Sequence, residues 1–98
     1  MIDHDYITTI SDAVPIPALY EQLAEECTEL AHAALKMARV MRAENPTPVP
    51  LDRALSNLYE EASDVHTVAK ILNLRPDPHI VTEKLKRWYD RIEQEDKS

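Results

Sequence analysis

The chain contains no glycine, and that absence removes whole classes of chemistry. The Walker loop and the dinucleotide-binding loop both need glycine so that backbone N–H groups can come close to a phosphate. Neither can be built here, so any handling of phosphates falls to side chains and metal ions. Cysteine is nearly absent as well. Cys27 stands alone, which excludes an intrachain disulfide and a cysteine-rich zinc site; its expected place is that of a small buried hydrophobe. Positive charge is short, with 11 Lys and Arg against 18 Asp and Glu and a formal net charge of −7. Binding a nucleic-acid polymer needs a basic footprint that releases phosphate counterions, so no such partner is expected. An anionic substrate would need a bridging cation. No apolar run approaches the length of a bilayer crossing, and Met1–Ile10 carries acidic residues where a secretory signal would be basic. The expectation is a cytoplasmic protein with no membrane association.

What is present reads as helix. A chain of 98 residues forms one domain over 1–98, with 1–16 an N-terminal segment of mixed character and 95–98 a short charged tail. A domain this small buries a modest fraction of its surface, so assembly into a dimer or tetramer is expected. Pro17 suits the first turn of a helix, and a helix is predicted from Pro17 to about Ala43. Its stripe is Leu19, Leu23, Cys27, Leu30, Ala34, Met37 and Met41. Asn45–Pro50 has prolines at alternate positions and reads as an extended connector. A second helix follows, from about Leu51 to Leu74, with Ala54, Leu58, Val65, Val68 and Leu72 on one face. Asp77 is the predicted N-cap of a third, with Pro78 in its first turn, running to about Glu93. Ile80, Leu85, Trp88, Tyr89 and Ile92 supply its apolar contacts. With no strand-like alternation of useful length, the fold class is all-α, a helical bundle completed by oligomerisation.

Two acidic runs fall on the first two of these helices: Glu25-Glu26-Cys27-Thr28-Glu29 and Glu60-Glu61-Ala62-Ser63-Asp64. Glu26/Glu29 and Glu61/Asp64 are each three residues apart, so each pair projects from neighbouring turns of one face. Glu26 lies in the apolar series between Leu23 and Leu30, and Glu61 in the series between Leu58 and Val65. Glu29 and Asp64 lie at the same edge of their respective stripes. A carboxylate withdrawn from water is costly unless it is paired or coordinates a metal. Mg²⁺ or Mn²⁺ would supply the missing charge, since hard ions prefer oxygen ligands. The competing interpretation is a pair of solvated acidic faces. It is weakened by the matching offset of both pairs from their stripes.

These motifs resemble those of the MazG-type all-α nucleoside triphosphate pyrophosphohydrolases, whose signature is E-E-x-x-E followed by E-x-x-D on the next helix. Glu25, Glu26 and Glu29 match the first half, Glu61 and Asp64 the second. The resemblance runs from about Tyr20 to Arg91 and includes the proline connector and Val81-x-x-Lys84-x-x-Arg87. The gap between the two motifs is longer than in compact members. The resemblance implies a MazG-like bundle in which Glu26, Glu29, Glu61 and Asp64 bind Mg²⁺ and a nucleotide is cleaved to monophosphate and pyrophosphate. Glu25 and Glu29 are its candidate catalytic groups, with Glu25 a water-orienting base or outer-shell partner. Lys84 and Arg87 are candidates for the β- and γ-phosphates, with a solvated helix face as their bland alternative. Two rival readings remain at this stage. One is a non-catalytic helical interaction module that keeps the acidic pattern; the other is a di-iron carboxylate bundle, for which Glu29-x-x-His32 lacks a second copy because Ser63 precedes His66.

Overall fold

The computed structural model describes residues 2–43 and 49–97. They form four α-helices, and among the described residues there is no strand: α1 Ile2–Ala13, α2 Ile16–Met41, α3 Leu51–Ile71 and α4 Pro78–Lys97. The all-α class is as expected, but there is one helix more than expected. The N-terminal segment of mixed character is a helix, with Ile7 half-buried on the side facing α3 and Asp3 reaching Lys70 Nζ at 3.3 Å. The charged tail is not separate, because α4 continues through it to Lys97. Of the proline connector, 44–48 lies outside the described residues; Pro50, extended at φ −62° and ψ 152°, caps α3.

The lack of glycine is visible at the helix ends. Helices commonly stop on a left-handed residue, and glycine is the usual choice. Here Ala43 and Asn73 take that conformation, at φ 56° and 55°. At the end of α3 the amide of Leu74 donates to the carbonyl of Ala69 at 2.8 Å and that of Asn73 to Lys70 at 3.1 Å, the paired bonds of a Schellman ending. Asparagine tolerates this geometry, while alanine bears the steric cost of its Cβ. At α4 the predicted cap forms, Asp77 Oδ1 accepting from the amides of His79 at 2.9 Å and Ile80 at 3.4 Å.

The frame of the molecule is an antiparallel pairing of α2 with α3. The buried apolar residues are Leu19, Ala33, Ala54 and Val68. Leu19 and Ala33 lie seven residues either side of Glu26, and Val68 and Ala54 lie seven either side of Glu61. The seam on α2 is thus Leu19, Leu23, Glu26, Leu30, Ala33, Met37 and Val40, all buried or half-buried, in the alternating three- and four-residue steps of a coiled coil. The seam on α3 is Ala54, Leu58, Glu61, Val65, Val68 and Leu72. Three expected positions are corrected: Cys27, Ala34 and Met41 are exposed, because Glu26, Ala33 and Val40, each one residue earlier, occupy the seam in the alternating steps instead. Helix α1 packs against α3, whereas α4 has no comparable packing against any other helix. The radius of gyration is 17.9 Å, against about 13 Å for a compact domain of this length. No helix among the described residues is long and apolar enough to cross a membrane.

Candidate functional site

The central layer of the α2–α3 seam is a pair of glutamates. Seam position directs Glu26 and Glu61 inward, toward one another, with an apolar layer on each side. One turn along α2, Glu29 reaches the same point from the edge. One carboxylate oxygen from each of Glu26, Glu29 and Glu61 lies within 4.8 Å of the other two. Glu26 and Glu61 are half-buried and Glu29 is exposed, so the cluster is roofed by helix on one side and open on the other. Gln22, one turn before Glu26, donates from Nε2 to Glu26 Oε1 at 2.7 Å and fixes that carboxylate. The second oxygens, Glu26 Oε2 and Glu61 Oε2, are shielded from solvent and have no hydrogen-bond partner among the described residues.

The electrostatics follow from this crowding. Glu61 is raised above its ordinary value of 4.5, first by burial, then by hydrogen bonding with Glu29 and by the negative charges of Glu29, Asp64 and Glu26. Like charges gathered at the edge of a helical core disfavour the ionised form of Glu61. The donor set, all oxygen, shielded oxygens without partners and three carboxylates in reach of one centre, fits a hard divalent cation.

Of the four expected ligands, three converge. Asp64 is half-buried one turn beyond Glu61 and near enough to raise it, but its carboxylate is not among the three that meet. It is one methylene shorter and starts from the stripe edge. Glu25 is exposed and outside the cluster. Lys84 and Arg87 are exposed on α4 and line a groove with Trp88 and Arg91 that includes no residue of the cluster. Within one chain they are not brought to the carboxylates.

A different set borders the acids. A cleft of about 160 Å³ beside Glu29 and Glu61 is lined by His32, Ala33, Lys36 and Asn57. Lys36 is a cation at the rim and Asn57 a neutral hydrogen-bonding group. Sequence reading assigned no role to Lys36, Asn57 or Gln22. The signal was there: Gln22, Glu29 and Lys36 are seven residues apart on α2, as are Asn57 and Asp64 on α3. Each set therefore lines one flank of its seam.

Fold and site together define an all-α protein with a carboxylate cluster between two antiparallel helices. No protein-family model, curated protein or solved structure matches the chain.

Proposed function

We propose that the chain is a Mg²⁺-dependent nucleoside triphosphate pyrophosphohydrolase, as its MazG-like motifs imply, working as a homo-oligomer. The observation that carries this reading is the inward pair Glu26 and Glu61, each with a shielded oxygen that nothing among the described residues satisfies. A structural core has no use for two facing acids, since removing them from water is costly and their repulsion adds to the cost. Mn²⁺ is a suitable substitute ion. A bound ion would offset phosphate charge and lower the pKa of coordinated water.

The remaining roles belong to the chain's own groups. Glu26, Glu29 and Glu61 hold the cation, and Asp64 stands beside them as a fourth oxygen donor. Gln22 orients Glu26. Lys36 is the rim cation in position to meet a phosphate oxygen, and the open side of the cluster admits a charged substrate without burying it. Glu25, exposed outside the cluster, is an outer-shell partner or a water-orienting base. Lys84 and Arg87 keep the phosphate role proposed for them only where another copy brings α4 near the acids.

The test is pyrophosphate release from a panel of ribo- and deoxynucleoside triphosphates, with and without Mg²⁺. Metal-dependent release lost in Glu61→Gln supports the reading. No turnover on any nucleotide, with a folded chain, would favour the non-catalytic interaction module.

A further inference from the structure

The back of α3 carries features that the acid cluster does not use. Lys70 is nine residues after Glu61, which at about 100° per residue puts it on the opposite side of the helix, away from the seam. A groove forms there for local reasons. Left-handed Asn73, at φ 55°, ends α3. Pro76 then keeps Arg75 out of the helical region, so the chain runs without helix through 74–77 before α4 begins. The groove lies where this run, the end of α3 and Ile7 of α1 come together. It measures about 540 Å³ and shares no residue with the cleft beside Glu29 and Glu61.

Its lining has two parts. Ile7, Ile71, Leu74 and Pro76 make an apolar surface, on which Leu74 is left 50% exposed. His66, Lys70 and Arg75 stand beside it, and no Asp or Glu lines the groove, in a chain whose acids outnumber its Lys and Arg by 18 to 11. The guanidinium of Arg75 has no ion pair or hydrogen bond with any described residue. Lys70 Nζ is 3.3 Å from Asp3 Oδ2, but the two side chains are 59% and 62% exposed, and an ion pair in that setting is weak. Both cations are therefore open to an incoming anion.

We propose that this groove binds an aliphatic carboxylate of the medium-chain fatty-acid type, its head held by Arg75 and Lys70 and its tail lying on Ile7, Ile71 and Leu74. The lining selects this class among anions. A nucleotide base is held by stacking on an aromatic ring, and no aromatic residue lines the groove. A small inorganic anion would leave the apolar surface uncovered, and a neutral lipid would leave two cations unmatched. A carboxylate matches the planar fork of Arg75, and a flexible chain covers the apolar part. The volume falls within the roughly 300–1,000 Å³ of pockets that enclose small organic ligands.

The inference stands apart from the hydrolase reading, because its measurements are of binding and involve no turnover. The full chain, isotope-labelled, is titrated with decanoate while its amide resonances are followed. Shifts are expected at Ile7, Lys70, Ile71, Leu74 and Arg75, and not along 81–92 of α4, whose exposed apolar stripe is open to the same probe. Affinity should rise by about twofold per methylene from hexanoate to decanoate, half the effect of full burial. Arg75→Gln should weaken decanoate by about threefold to fivefold, the range of an exposed ion pair. Arg75 lies outside every helix, so circular dichroism should not change. Lys70→Gln should weaken it similarly. Decanol, with the chain and no charge, and acetate, with the charge and no chain, should each bind at least about tenfold more weakly than decanoate. Decanol binding as well as decanoate would overturn the proposal, as would an affinity indifferent to chain length or to Arg75→Gln. So would shifts confined to α4, or none at millimolar decanoate.

Discussion

At the scale of single residues, Glu61 is the most informative position. Its carboxylate is raised in the folded chain, first by burial and then by Glu29 and the other acids, whereas unfolding returns it to its ordinary value. Between those two values the folded chain holds a proton that the unfolded chain has lost. Stability of the metal-free protein therefore falls as pH rises through this window and stays reduced above it. Thermal melts across pH should show this slope in the parent and a flatter profile in Glu61→Gln. Mg²⁺ should reverse the loss at neutral pH in the parent only; an ion present at a hundred times its Kd would add about 2.7 kcal/mol. For turnover, removing a direct ligand should cost at least about a hundredfold, beyond the range seen for outer-shell partners. Glu25→Gln should cost far less than Glu61→Gln in the same pyrophosphate assay, since Glu25 is outside the cluster.

A different residue tests the consequence of having no glycine. Ala43 is held at φ 56°, where its Cβ costs roughly 1 kcal/mol relative to glycine. Ala43→Gly is expected to raise the melting temperature by about 4–8 °C. An unchanged or lowered melting temperature would show that this helix ending does not bear the cost.

At the scale of elements, the α2–α3 seam is a ladder whose rungs are unequal. Leu19 and Val68 form a large layer at one end, the two glutamates the middle, and Ala33 and Ala54 the tightest layer. Ala54 is 2% exposed, so the helices approach closely there. Ala54→Leu is expected to destabilise by about 1–3 kcal/mol through overpacking, read as a lowered urea midpoint. It should also weaken metal dependence by moving Glu61, two turns away, off its partner. The same arrangement explains what the sequence could and could not disclose about this pair. The inward placement of Glu26 and Glu61 was legible, because each interrupts an apolar series of helical period. Cys27 was misplaced, because a stripe drawn from apolar residues alone steps over the glutamate that occupies the seam. Helix α1 was hidden by a mixed composition, its helical form supported by the contact of Ile7 and Asp3 with α3.

At the scale of the whole molecule, stability is uneven. The seam of α2 and α3 holds every buried residue among those described, while α4 carries exposed Val81, Leu85, Trp88 and Ile92 in steps of four, three and four residues. That is the period of the other two seams, with no helix of the described residues packed on it as α2 and α3 pack on each other. An unpaired helix of this length is marginal in water. Amide exchange should therefore be slowest within Leu19–Ala33 and Ala54–Val68 and fastest in α4. Exchange in α4 as slow as in the seam would mean that this helix is held by contacts beyond those of one chain.

By itself the sequence determined the class of structure and the chemistry excluded from it. Helical periodicity, prolines between the periodic segments and the lack of glycine are local properties, and local interactions express them wherever the chain goes. It also determined which acids point inward, because inwardness is a matter of phase against the apolar stripe. Only the tertiary structure decided that three of the four expected ligands meet while Asp64 stands beside them, that Lys36 and Asn57 border the acids, and that Lys84 and Arg87 lie elsewhere. Those outcomes depend on the antiparallel register of two helices and on where a third one packs. Both are fixed by contacts between residues far apart in the chain, which no periodicity within one helix encodes.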